Sequence, residues 1–111
     1  MIEKIVMDYL TSSVGIPAYM ERPENPPDEY IIVEKTGSGK RNHVYTSTLA
    51  IQSYADTLYR AAALSELVRG AMEGIVVLPE LGGVREGSEY NFTNPADKQY
   101  RYQAVFTLYH Y

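Results

Sequence analysis

The spacing of apolar residues predicts a helix at the start of the chain. Apolar side chains recur at the three- and four-residue spacing of one helical face: Ile2, Ile5, Val6, Tyr9 and Leu10. Gly15 followed by Pro17 is a typical end for such a helix. A short extended piece, Ala18–Met20, is expected next, before the proline-rich linker that begins at Pro23.

The following segment has the β-branched content of a hairpin. Tyr30–Lys35 is predicted as one strand and His43–Gln52 as its antiparallel partner. The residues between them are small, polar or basic, and we expect them to form a long flexible tip that faces a partner. These candidate partner-facing residues are Gly37, Ser38, Gly39, Lys40, Arg41 and Asn42.

A second, longer helix is predicted after the hairpin. Ser53 is placed to cap it, with Asp56 three residues later as in a capping box. One helical stripe then contains Leu58, Ala61, Ala62, Ser65, Val68, Met72 and Ile75. Gly70 and Gly74 weaken the last turns, so the helix is expected to end between Arg69 and Gly74.

The last quarter of the chain predicts a second hairpin. Val84–Phe92 is one strand, bent near Gly87, and Tyr100–Tyr109 is the other, with a turn at Asn94 and Pro95. Alternate residues of the last strand are expected on one face: Tyr102, Ala104, Phe106 and Leu108. The order helix, hairpin, long helix, hairpin predicts one α+β domain over residues 1–111. Its sheet is expected to have four mostly antiparallel strands, with both helices on one face.

Composition narrows the classes of protein that this chain can belong to. Its 111 residues, 45% of them hydrophobic, are enough for one core. A net charge of −4 gives no electrostatic footprint for duplex nucleic acid. There is no cysteine, which removes disulfides and thiolate chemistry, and no apolar run is long enough for a membrane span. The 11 tyrosines fit surfaces that are solvated in the free protein and buried in an assembly. They fit half-buried strand positions equally well.

No catalytic or metal-binding motif is complete in the sequence. The string Gly37–Lys40 resembles part of a phosphate loop, but it precedes a strand and lacks the earlier glycine and the hydroxyl residue of that motif. His43 and His110 lie in separate predicted strands. Glu86 and Glu89, three apart on a strand, are expected on opposite faces. We therefore expect no catalytic residues, metal site or cofactor, and no enzymatic activity.

One basic cluster is compact, and two interpretations of it stand side by side. Lys40, Arg41 and the nearby His43 are either solvated loop charges or a contact surface for an acidic partner or for DNA in a channel.

Three strings of the sequence resemble the tail-completion proteins of long-tailed phages and prophages, the tail-terminator and head-to-tail joining group. The strings are Leu49–Asp56, Ser88–Pro95 and Arg101–Leu108, and the likeness extends from about Ile16 to Tyr111. The residues that match the family strings are expected to be structural, and they are Gln52, Tyr54, Ala55, Asn91, Phe92, Pro95, Arg101, Tyr102 and Gln103. Within them, Asn91 and Pro95 fit turn formation, and Phe92 is expected to be a core residue under the long helix.

The resemblance implies a structural protein of the virion tail or neck that assembles in the host cytoplasm. It implies a self-assembled ring, usually a hexamer, on the head-proximal end of the tail tube. Its partners would be other copies of the chain, the tail-tube protein and the head-completion or connector protein, with non-specific DNA contact in the lumen and no membrane. The alternatives are another neck or minor tail protein of the same fold, or a small α+β ligand-binding or regulatory domain.

Overall fold

The computed structural model describes residues 1–96 and 99–111 as two helices against one sheet. In chain order the elements are α1 Ile2–Val14, β1 Ala18–Tyr19, β2 Tyr30–Arg41, β3 Val44–Ala55, α2 Leu58–Glu73, a 3-10 helix Ile75–Val77, β4 Leu81–Asn91 and β5 Tyr100–His110. The α+β class is confirmed. None of the described helices is both long enough and apolar enough to cross a lipid bilayer.

In the described residues the sheet has five strands, in the order β1-β2-β3-β5-β4. The prediction of four strands is wrong by one, because β1 was not predicted as a strand of the sheet. β1 is parallel to β2 and pairs only Ala18 with Ile31 and Tyr19 with Ile32. All other neighbours are antiparallel. A strand of two residues has no alternation to detect, which is why the sequence suggested only a short extended piece there.

Both helices pack on the same side of the sheet, which we call the covered face; the other side is the open face. The core between helices and sheet combines residues from α1, α2 and four strands. Its fully buried members include Val6, Leu10, Ile31, Val33, Leu49, Ile51, Val68, Met72, Phe106 and Leu108. Gly15 ends α1 in the left-handed conformation, with φ 79°, as the sequence predicted.

The predicted start of α2 is wrong, and its predicted end is correct. β3 continues through Ser53, which is buried in the sheet, so Ser53 is not the cap. Thr57 caps the helix instead, because its backbone is extended and its hydroxyl accepts the N–H of Arg60 at 3.1 Å. Leu58, expected on the buried stripe, is exposed at the first turn. The helix ends at Glu73, within the predicted interval.

The first hairpin has a tight turn rather than a long loop. Gly37–Arg41 belongs to β2 and pairs with β3 residues, which contradicts the prediction of a flexible tip. Only Asn42 and His43 form the turn, with φ 51° and 69°, so His43 is also not a strand residue. Two consecutive left-handed residues are typical of the two-residue hairpin turn whose twist matches its strands. A register shift between Lys35 and Gly37 accommodates one extra residue in β2.

A bulge in β4 overturns two predictions. Glu86 pairs with Phe106 and Glu89 with Ala104, so two residues of β4, Gly87 and Ser88, lie opposite one residue of β5, Val105. The extra residue brings Glu86 and Glu89 to the same covered face, not to opposite faces as predicted. It also reverses the alternation for the rest of the strand. Phe92 is therefore 39% exposed on the side of the open face, and its prediction as a core residue is wrong.

Candidate interaction surface

A hydrogen-bonded row of side chains crosses the open face where β3, β5 and β4 lie side by side. Tyr54 donates to Gln52 Oε1 at 3.1 Å, and Gln52 Nε2 donates to Gln103 Oε1 at 2.8 Å. Gln103 Nε2 in turn contacts the hydroxyl of Tyr90, and Arg101 Nη1 donates to the Tyr54 hydroxyl at 2.8 Å. We call these five residues the Gln–Tyr–Arg network. Four of them are among the residues that match the family strings, which the fold brings together on adjacent strands.

Aromatic rings extend the network on both sides. Tyr30 stacks on Tyr54 with ring centroids 4.6 Å apart, and Tyr19 meets Tyr30 edge to face at 6.3 Å. On the other side, the Arg101 guanidinium lies 4.6 Å from the Phe92 ring centroid, and its Nε donates to the Phe92 carbonyl at 2.6 Å. The cation over the ring holds Phe92 in place although it is not in the core.

The centre of the network is buried although none of the described helices packs on the open face. Gln52 is 7% exposed and Gln103 is 8% exposed, whereas Tyr90 at the rim is 40% exposed. Each of the two amides is hydrogen bonded through both its oxygen and its nitrogen. An ordered, uncharged centre with Tyr and Arg around it has the composition that protein interfaces favour.

The other family-matching residues lie elsewhere. Ala55 is buried at the end of β3, and Tyr102 is on the covered face beside α2. Asn91 accepts the N–H of Thr93 at 3.0 Å, as a turn-forming residue does, which supports its predicted role. Pro95 lies in the predicted turn, where Asn94 accepts the N–H of Ala96 at 3.1 Å.

The tip of the β2–β3 hairpin is basic and exposed. Lys40 Nζ lies 5.1 Å from the ring centroid of Tyr45, and Arg41 is exposed beside the turn. Asn42 and His43 are exposed at the turn itself. Although Gly37, Ser38 and Gly39 are strand residues, the cations remain at the end of the hairpin where the sequence placed them.

A groove of about 510 Å³ lies between this hairpin and the start of α1. Ser47 Oγ and His110 Nε2 share a hydrogen bond of 2.8 Å on its floor. Burial lowers the pKa of His110, Lys35 lowers it further, and Glu3 opposes them. Glu3 is buried, and its Oε1 has no hydrogen-bond partner among the described residues, while its Oε2 is 3.9 Å from Lys35 Nζ. Nothing in the sequence indicated this groove, because its residues come from four separate segments of the chain.

Two further features of the covered side were not visible in the sequence. Arg69 of α2 bonds to both carboxylates that the β4 bulge brings together, and Glu89 also accepts from Ser65 at 2.6 Å. The hydrogen bond to Glu86, followed by the charge of Glu89, raises the pKa of Arg69. Farther out, Tyr59 is 81% exposed, and Leu67 and Val77 are also exposed. Apolar side chains are therefore present on the outer side of α2 and the segment after it.

The described residues contain no group of three or more His, Cys, Asp or Glu side chains arranged to hold a metal ion. The chain matches no protein-family model, and a comparison with curated proteins finds no significant relative.

Proposed function

We propose that this chain is a structural assembly protein of long-tailed phages that forms a ring, usually of six copies, on the head-proximal end of the tail tube. The ring ends polymerisation of the tube and offers a surface to the connector of the head. The chain belongs, on this proposal, to the tail or neck of the virion and assembles in the host cytoplasm. It has no enzymatic activity of its own.

The observation that carries the proposal is the Gln–Tyr–Arg network. Gln52, Tyr54, Arg101 and Gln103 were selected by their likeness to tail-completion proteins, and they form one hydrogen-bonded surface on the open face. Gln52 and Tyr54 lie two residues apart on β3, and Arg101 and Gln103 two apart on the neighbouring β5, so these four residues that carry the resemblance share one surface. The α+β fold class supports the same assignment, since the resemblance implies helices packed against a sheet.

The position of the charges supports a contact with the tube or with DNA. Lys40 and Arg41 lie at the far end of the first hairpin, away from the acidic linker that contains Glu21, Glu24 and Asp28. In a ring, such a tip reaches acidic groups of the tube protein or of DNA in the lumen. Attraction between exposed charges is screened by salt, so this contact is expected to weaken as ionic strength rises.

The proposal predicts that a tail-tube protein is encoded beside this chain, and tubes assembled from that protein test it. Added during polymerisation, the chain is expected to shorten the tubes, and electron microscopy is expected to show density at one tube end. Tubes of unchanged length with bare ends would contradict the proposal. Finding genes for capsid, connector and tube on either side of this one would be an independent check.

A small-ligand or regulatory domain is the second candidate function, and the groove at the start of α1 favours it. Its volume is in the range of ligand sites, and it is lined by Glu3, whose buried Oε1 has no hydrogen-bond partner among the described residues. Thermal-shift screening against small polar metabolites separates the candidates. A saturable rise in the unfolding temperature that Glu3→Gln abolishes would favour the ligand-binding function. Another neck or minor tail protein of the same fold is distinguished by binding to the connector and not to the tube.

A further inference from the structure

In the described residues, β4 is an edge strand whose side away from β5 is free from about Val84 to Asn91; at its start, Leu81 donates its N–H to Leu78 O at 3.1 Å. In the described part of the chain, its 11 residues pair only with β5. Phe92, just after the strand, donates its N–H to Arg101 of the β5 side at 2.9 Å. Backbone direction alternates along a strand, so the N–H groups of Asn91 and Glu89 point away from β5. Beyond the bulge, the register gives the same outward direction to Glu86 and Val84.

β2 has a second free side at the opposite edge of the sheet. β1 covers only Ile31 and Ile32, and Ile31 donates its N–H outward to Pro17 O at 2.9 Å. Alternation then directs the N–H groups of Val33 and Lys35 to the same side. After the register shift, Ser38 and Lys40 take over the outward positions. In the described residues, no strand pairs with β2 from position 33 to its end at Arg41.

The two free sides match each other in register and direction. Through β3 and β5, Ser38 lies in the same row as Val84, and Lys35 in the same row as Glu86. β2 and β4 run in opposite directions, so β4 of one copy can pair antiparallel with β2 of the next copy related by rotation.

We propose that neighbouring copies of the chain join by pairing the free side of β2 in one copy with the free side of β4 in the next. The contact uses two different surfaces, so it propagates from copy to copy and closes into a ring when the rotation allows. The inference rests on the proposed ring function and names the interface that builds the ring. A second copy is the occupant because each chain has both complementary edges.

Engineered cysteines test the pairing directly, because the natural chain contains none. Ser38→Cys and Val84→Cys are combined in one chain, and Lys40→Cys with Val84→Cys covers a shift of two residues. Within one copy, these positions are three strand spacings or about 14 Å apart, too far for a disulfide, which needs Cα atoms within about 7 Å. Any disulfide between them therefore joins two copies. Ser12→Cys with Val84→Cys is the control, because Ser12 is an exposed residue of α1 and not of either free edge.

Oxidation at high protein concentration is expected to give a ladder of covalent oligomers for at least one test pair, but not for the control or for single variants. Dimers from single variants, or equal ladders from the control, would overturn the proposed pairing. So would the absence of a ladder in both test pairs.

Proline substitution tests the same contact without assuming a register. Ser38→Pro and Val84→Pro each remove an outward N–H, which an edge strand tolerates, while Ser38→Ala and Val84→Ala keep it. We expect the proline variants to fold but to lose ring formation on tail tubes by at least tenfold, and the alanine variants to retain it. If folded proline variants assemble normally on tubes, the edge pairing is wrong and the ring function stands. If the natural chain fails to bind tubes at all, the proposed function itself is wrong.

Discussion

The two faces of the sheet are buried by different means. The covered face is sealed by helices, and its centre is aliphatic or aromatic, with Phe106, Leu49 and Ile51 almost inaccessible. None of the described helices packs on the open face, and yet Gln52 and Gln103 are only 7% and 8% exposed. On the first face, burial removes apolar area from water. On the second, neighbouring side chains bury polar groups whose hydrogen bonds must all be made within the sheet.

This difference has consequences for stability and for function. The apolar centre of the covered face tolerates changes in shape poorly, and shortening a side chain there removes no hydrogen bond. An open face built from a hydrogen-bonded network is ordered before any partner arrives, so docking to it costs little side-chain entropy. The comparison predicts that substitutions on the covered face act mainly through folding. Substitutions of exposed residues on the open face and at the hairpin tip act mainly through assembly.

The largest effect is expected from removing an aromatic ring from the covered face. Phe106→Ala deletes a ring that is 1% exposed and should lower the free energy of unfolding by about 3–5 kcal/mol. Phe92→Ala is the matched control on the other side, where the ring is half exposed and held by Arg101. It should cost about 1 kcal/mol or less while impairing assembly. Urea denaturation measures both, and equal losses would show that the two faces do not differ as described.

The next largest loss of stability is expected when a hydrogen bond of the open face is removed. Gln52→Ala leaves the Gln103 carbonyl without its donor and removes the acceptor of the Tyr54 hydroxyl. An unsatisfied buried group costs about 1–3 kcal/mol, so the free energy of unfolding should fall by that amount. The double variant Gln52→Ala with Gln103→Ala should cost less than the sum of the two single changes, because the contact between them is lost only once. Additive costs would mean that the two amides do not act as a pair.

The sequence predicted the covered face better than the open face, and the reason is physical. Alternation of apolar residues identified Ala104, Phe106 and Leu108 on one face, and all three are buried. It failed at β4, where one extra residue between Glu86 and Glu89 reverses the alternation. A bulge leaves no apolar pattern behind, so both Phe92 and the carboxylate pair were assigned to the wrong faces.

The resemblance singled out most residues of the candidate surface, but as structural residues and not as a surface. The family strings identified Gln52, Tyr54, Arg101 and Gln103, but their bonding depends on which rows of β3 and β5 are paired. Tyr30 and Tyr90 belong to the same surface and had no signal beyond the high tyrosine content of the chain. Cross-strand partners are far apart in sequence, so periodicity within one strand cannot identify them.

A smaller effect on stability is expected from the titration of His110. His110 is partly buried near Lys35, and its pKa is lowered from its ordinary value of 6.5. The unfolded chain therefore takes up a proton at a higher pH than the folded chain does. Stability from the neutral imidazole is complete above about pH 6.5 and is lost as the pH falls below that value. His110→Gln should flatten the dependence of unfolding free energy on pH between about 7 and 5. Equal curves for His110→Gln and the natural chain would show that His110 does not contribute this dependence.

The smallest effect on stability is expected at the hairpin tip. Lys40→Glu with Arg41→Glu replaces two exposed cations, and exposed charges rarely change stability by more than about 0.5 kcal/mol. The turn at Asn42 and His43 is unaffected, so the strand register is retained. Assembly should respond strongly, because a tip that meets acidic groups of the tube or of DNA becomes repulsive. The natural chain should bind tail tubes more weakly as salt rises, and the double variant should bind weakly at every salt concentration. Lys4→Glu with Arg22→Glu changes the same charge away from the tip and serves as the control. Tube capping by the tip variant at the natural level, with the natural salt dependence, would show that the cations of the tip are only solvated and that assembly depends on the strand edges and the open face.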